Sequence, residues 1–160
     1  MSDSGETRPN ARSLIDDVSK AIIEQLQQDG RRSYAAIGKA VGLSEAAVRQ
    51  RVQRLTDSGV MQIVAVTDPL QLGFARQAMI GIDVEGSLEP VAEALAAIDE
   101  VDYVVMTAGG FDILCEVVCE SDARLLELLS TRIRAIPGVR GTETFMYLKL
   151  AKQTYSWGVH

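Results

Sequence analysis

Arg49, Gln50 and Gln53, flanked by Arg51 and Arg54, crowd guanidinium and carboxamide groups onto one short stretch of chain. A guanidinium can meet guanine, and a carboxamide adenine, through paired hydrogen bonds to the base edge in the major groove. The chemistry on offer is therefore recognition of double-stranded DNA, with no bond made or broken. Ala46, earlier on the same stretch, is small enough to let the backbone approach a groove closely. Arg31, Arg32 and Lys39 lie upstream and suit phosphate oxygens, which fix register without carrying sequence. Ser33 and Ser44, where two helices should begin, complete the candidate surface.

Other kinds of chemistry lack materials. Cys115 and Cys119 alternate with Ile113 and Val117, which puts them on one face of a strand as small buried hydrophobes rather than in a redox or zinc motif. The only histidine is His160, so a zinc site or a His-based triad has nothing to build on. No Gly-rich loop leads into a helix as a phosphate cradle would. Neither a catalytic residue, a metal nor a cofactor is expected, and the chain does not read as an enzyme.

The net charge of −6 argues against a polyanionic partner until its distribution is considered. Residues 1–56 hold nine Lys/Arg and seven Asp/Glu, whereas residues 57–160 hold seven and fifteen. From Gly30 to Thr56, six basic residues stand against the single acid Glu45. A local basic patch can hold phosphates while the acidic remainder limits indiscriminate adhesion. No apolar run approaches the roughly 18 residues of a membrane span, so no membrane partner is expected. The anticipated location is the cytoplasm, in association with the nucleoid.

The elements that must carry these side chains follow from spacing. Val18, Ile22 and Leu26 predict a helix from Asp17 to Gln28, ended by Asp29-Gly30. Ser33 should cap a short helix with Tyr34, Ile37 and Val41 inward, and Gly42 should stop it. Ser44 should cap a third helix, Glu45 to about Thr56, that buries Val48, Val52 and Leu55. Ala46, Arg49, Gln50 and Gln53 then face outward. This layout is a helix-turn-helix.

Val60–Val66 predicts a strand, closed by Asp68-Pro69, which would make the helix-turn-helix winged. Further strands are predicted over Ala78–Val84, Val101–Thr107, Phe111–Cys119 and Gly141–Leu150. Between them, Ser87 should cap a helix with Leu88, Val91, Leu95 and Ile98 inward. Ser121 should cap another with Leu125, Leu129, Ile133 and Ile136 inward. The order βαββαβ gives an α+β chain whose second domain is ferredoxin-like. Two helices can cover only one face of such a sheet, yet its strands are apolar on both, so a second subunit should cover the other.

Several short motifs stand in a specific order: Ile15-Asp16-x-x-Ser19-x-x-Ile22, Leu26 to Arg31, Val41-Gly42-Leu43-Ser44, Val48-x-x-Arg51-Val52-x-x-Leu55, Gly59-Val60-Met61, Ala108 to Asp112, and Ile136-Pro137-Gly138-Val139. Together they resemble the Lrp/AsnC family, the leucine-responsive and feast/famine regulators, over nearly everything from Leu14 to Ala151. The resemblance implies a homodimer formed through the C-terminal domain, dimers assembling into octameric rings, and small effectors, usually amino acids, bound between dimers. It also implies that the turn between the second and third strands of that domain contributes to the pocket. Carried over, this gives Gly109, Gly110, Phe111 and Asp112, with Thr142 and Thr144 as neighbours. Ser19 and Gly110 stand where the family usually has Asp; at Gly110 a charge partner for an ammonium group is missing.

The residues alone leave a plainer reading of the turn, in which paired glycines supply the positive φ of a hairpin and need no ligand. The expected domains are a disordered arm (1–13), a helix-turn-helix (14–60), a strand and linker (61–76), a ferredoxin-like domain (77–151) to which the resemblance gives effector binding and oligomerisation, and a tail (152–160). The expected function is a sequence-specific transcriptional regulator responding to a small metabolite. The competing reading is a ligand-independent architectural protein that wraps DNA.

Overall fold

The computed structural model describes residues 15–156, Gly158 and Val159; the expectations placed on residues 1–13 and on His160 lie outside them. The described residues form two compact units, residues 15–65 with 152–156, 158 and 159, and Val66–Ala151. Among the described residues no helix is long and apolar enough to cross a membrane.

The first unit holds α1 (Asp17–Gln28), α2 (Tyr34–Val41) and α3 (Glu45–Asp57). Each begins at a side-chain cap. Asp16 Oδ1 accepts from the Ser19 amide at 2.8 Å, and the Ser33 and Ser44 hydroxyl oxygens accept from the amides of Ala36 and Ala47 at 3.2 Å. Such caps each contribute about 1 kcal/mol. Gly42 ends α2 at φ +74°, the left-handed geometry that favours glycine. The helices close on Ile22, Leu26, Ile37, Val48 and Val52, with Tyr34, Leu43 and Met61 at the margin.

After α3 the structure departs from expectation. The Val60 and Met61 amides fold back onto the Leu55 carbonyl at 3.1 and 3.2 Å, and Val60–Val66 forms no strand. Strand preference expresses packing on a pleated, half-covered surface. Among the described residues no strand pairs with this segment, and Ile63, Val64 and Val66 are exposed. No wing strand therefore forms among the described residues. A short 3-10 turn, Pro69–Leu72, follows, opened by Asp68 Oδ1 accepting from the Leu70 amide at 3.0 Å.

The second unit runs β1 (Arg76–Val84), α4 (Leu88–Ala96), β2 (Val101–Met106), β3 (Ile113–Cys119), α5 (Asp122–Glu127) and β4 (Val139–Met146). Its sheet is antiparallel in the order β2-β3-β1-β4, the ferredoxin-like arrangement expected from sequence. Ala78, Ile80 and Ile82 pair across to Val117, Cys115 and Ile113. These residues meet Val91, Leu95, Ile98, Leu125, Leu128 and Ile133 in one buried core.

Two local details differ from the periodicity. Ser87 precedes α4 without capping it through its side chain; its hydroxyl donates to Glu89 Oε2 at 2.7 Å instead. Beyond α5 the chain widens into a π-helical turn, Leu128–Ile133, in which the Arg134 amide reaches back to the Leu129 carbonyl at 3.0 Å. The wider turn shifts the helical phase. Leu128 is fully buried, and Leu129 and Ile136 are partly buried against the same core.

Within this unit α4 and α5 pack on the core face of the sheet only, and the other face carries neither. Met79, Leu114, Val105 and Phe145 lie there with Tyr103 and Glu116, as their pairings Met79–Glu116, Val105–Leu114, Met79–Phe145 and Tyr103–Glu116 require. Gln77 donates to Glu116 on the same face.

Candidate functional site

Because Val48, Val52 and Leu55 are buried on one side of α3, its opposite side is left to solvent. Ala46, Arg49, Gln50, Gln53 and Arg54 are all exposed there. Arg49 is held lightly: its Nη2 donates to Glu45 Oε1 at 2.9 Å, and its guanidinium sits 5.1 Å from the Tyr34 ring centroid. Both members of the Arg49–Glu45 pair are more than half exposed. Such a pair is worth little in water and exchanges readily for another anion. Gln53 Nε2 donates to Asp57 Oδ1 at 2.7 Å.

On the preceding elements Arg31 and Lys39 are exposed, whereas Arg32 is half-buried and donates to Gln25. The Ser33 and Ser44 hydroxyl oxygens serve as helix caps, which leaves each hydroxyl proton available to an acceptor.

Arg51 stands apart from the other cations. Its Nη1 donates to Asp16 Oδ1 and Oδ2 at 2.8 and 2.7 Å and to Ser19 Oγ at 3.0 Å. Only 25% of the side chain is exposed. The hydrogen bonds from Ser19, and then from Arg51, hold the Asp16 carboxyl down at about 2. Ser19 is buried inside the first turn of α1, and Asp16 is the cap.

The turn between β2 and β3 is fastened at its ends. The Thr107 hydroxyl donates to the Phe111 carbonyl, and the Thr107 amide to the Asp112 carbonyl at 2.9 Å. Asp112 donates its amide to the Ile82 carbonyl at 3.0 Å and accepts from the Val84 amide on Oδ2 at 2.8 Å. Phe111 lies over Gly81, a position with no room for a side chain, and meets Phe145 edge-on at 5.9 Å. Gly109 and Gly110 do not adopt positive φ, so the hairpin does not need glycine at either place.

Thr142 and Thr144 pair with Ile82 and Ile80, which puts them on the helix-covered face. Phe111 sits on the opposite face, against Gly81. The expected set is therefore not brought together within one chain. Thr142 accepts from Arg134 Nε at 3.0 Å. Cys115 and Cys119 are free and buried, and burial pushes the Cys115 thiol up to about 12. Among the described residues no group of His, Cys, Asp and Glu could hold a metal ion.

Two family models match this chain. That of the AsnC-type helix-turn-helix domain covers residues 15–56, and that of a C-terminal dimeric alpha+beta barrel domain covers residues 74–160. The HTH-type transcriptional regulator FL11 of Pyrococcus furiosus is 36% identical over 89% of this chain and 95% of its own. The chain belongs to the Lrp/AsnC family of transcriptional regulators.

As an Lrp/AsnC regulator it is a DNA-binding protein with a dimeric C-terminal domain, and its relatives are regulators rather than enzymes. The leucine response regulatory protein LrpA of Mycobacterium tuberculosis is 30% identical, with a TM-score of 0.77 over 87% of this chain and 96% of that one. A transcriptional regulator of Neisseria meningitidis, solved as an L-Met complex, shares the fold at 23% identity and a TM-score of 0.74, over 89% and 95% of the two chains.

Two features of this Lrp/AsnC chain escaped sequence reasoning. One is the engagement of Arg51 by α1, since its helical phase put it only at the edge of the outward stripe. The other is the seat of Phe111 on Gly81, although a glycine inside a strand is itself a signal of close approach.

Proposed function

We propose that this regulator reads a two-fold related DNA site with α3 in the major groove and responds to an amino acid that biases its assembly. The exposed side of α3 carries the reading. Arg49, Gln50, Gln53 and Arg54 supply the base-edge and nearby phosphate contacts, while Ala46 permits close approach. Arg31, Arg32, Lys39, Ser33 and Ser44 hold phosphates. The open apolar face of the sheet packs on its counterpart in a second copy, which would bury Met79, Leu114 and Phe145. Dimers then associate further, up to an octamer, within the cytoplasm.

The amino-acid class is supported by the L-Met complex of the Neisseria relative, and the β2–β3 turn, Gly109 to Asp112, is the candidate contact. Thr142 and Thr144 belong to that site only if it is assembled from more than one chain. An effector must bind one arrangement more tightly than another, because equal affinity shifts nothing.

One observation favours the architectural alternative: the Asp112 carboxylate is already taken by the Val84 amide, and Gly110 offers no replacement. Two measurements separate the readings. Selection from a random-sequence duplex pool should enrich a motif whose half-sites lie about one helical turn, or a multiple of it, apart. Binding without enrichment would favour the architectural protein. A melting screen against the common amino acids should yield one that adds about 2.7 kcal/mol at a hundred times its dissociation constant. No hit would remove the effector.

A further inference from the structure

We infer that Arg51 is a positioning residue for DNA recognition, acting through Asp16 to lock α3 onto the start of α1, and not a residue that touches the duplex. This rests on the assignment of α3 as the recognition helix. The geometry is that of a single knot. Asp16 Oδ1 accepts at once from the Ser19 amide, which starts α1, and from Arg51 Nη1, which belongs to α3. Asp16 Oδ2 and Ser19 Oγ accept from the same Nη1 at 2.7 and 3.0 Å.

Ser19 is 2% exposed, so its hydroxyl is an internal post rather than a solvent group, and it joins residues 32 positions apart in sequence. Arg51 is turned from the outward stripe by these partners. To contact a phosphate it would have to abandon a buried acceptor and an ionised carboxylate together. The consequence is mechanical. One charged group both caps α1 and fixes the azimuth at which α3 presents Arg49, Gln50, Gln53 and Arg54.

The test uses the full chain and a random-sequence duplex pool as probe, with binding measured against salt concentration. Arg51→Met keeps much of the stem and removes the charge. Asp16→Asn keeps the capping oxygen, since Asn caps as well as Asp, and removes the ion pair. Each should weaken binding roughly two- to fivefold, the range of an exposed or part-exposed ion pair. The double variant should be no worse than the weaker-binding single. The salt slope should stay that of the parent, because no phosphate contact is lost.

Arg54→Ala is the contrast, expected to reduce the slope by about 0.9. A slope reduced likewise in Arg51→Met, with Asp16→Asn binding like the parent, would overturn the inference. If the unsubstituted chain does not bind the pool, the recognition-helix reading fails instead. Thermal melts of the same variants then decide the lock by themselves, additive losses refuting it and non-additive ones supporting it.

Discussion

The carbonyl oxygen of Leu43 lies 2.5 Å from where a Cβ on Gly38 would stand. The approach is fixed from both sides, because the Leu43 amide donates to the Gly38 carbonyl at 2.9 Å across the corner between α2 and α3. Gly38→Ala therefore forces backbone apart rather than a flexible side chain. A loss of about 1–3 kcal/mol is expected from such overpacking, seen as a lower urea midpoint, with DNA binding falling as α3 shifts. An unchanged midpoint would mean that the corner opens freely.

Asp112 ties the end of β1 to the β2–β3 turn through the Val84 amide. Asp112→Ala should lower stability by about 1–3 kcal/mol without any ligand present, the cost of an amide left without its charged acceptor. Asp112→Asn should recover most of that loss, since its carbonyl oxygen can still accept. Denaturant curves of the two variants check this. Equal behaviour of Ala and the parent would free Asp112 for a ligand.

Both cysteines are buried, and burial raises their thiols, that of Cys115 to about 12. The thiolate is the reactive species, so alkylating reagents at neutral pH should leave the native chain unlabelled. Two labels should appear once urea unfolds it. Fast native labelling at either position would show that the core opens locally.

Asp16 titrates at about 2, against 3.8 for an ordinary aspartate. A depressed carboxyl stabilises the fold fully above the ordinary value and loses that contribution as pH falls through the lower one. Melts of the parent should therefore show stability declining as the pH drops from about 4 towards 2. Asp16→Asn should flatten that part of the profile. An unaltered slope would assign the acid lability to other carboxylates.

Helix boundaries were legible because their signals are local. Ser33, Gly42 and Ser44 each act within a few residues, and the helices start and stop at them. The βαββαβ succession was legible from the alternation of strand and helix patterns along the chain. Val60–Val66 misled because alternation states what a strand would look like but not whether an edge awaits it. Arg51 misled for the converse reason: its partners on α1 are distant in sequence, and helical phase is blind to them. Leu128 is buried beside the expected Leu129, which packs on the core only partly buried, because both follow Leu125 at helical spacing and period alone does not choose between them. Thr142 and Thr144 fell on the face away from Phe111 because strand parity, fixed by register with Ile82 and Ile80, was set only by the folded sheet.

The β2–β3 turn is gripped at Thr107 and Asp112, yet a Cβ at Gly110 would meet nothing within 4 Å, and one at Gly109 only the Thr107 hydroxyl oxygen at 3.9 Å. Its middle is thus a cassette clamped at both ends and open to rewriting. An acid, a base or an aromatic ring could be installed there in one mutational step with little penalty to folding. If the turn meets the effector proposed above, lineages carrying this scaffold can retune its recognition at a rate set by selection on the metabolite rather than by the tolerance of the protein.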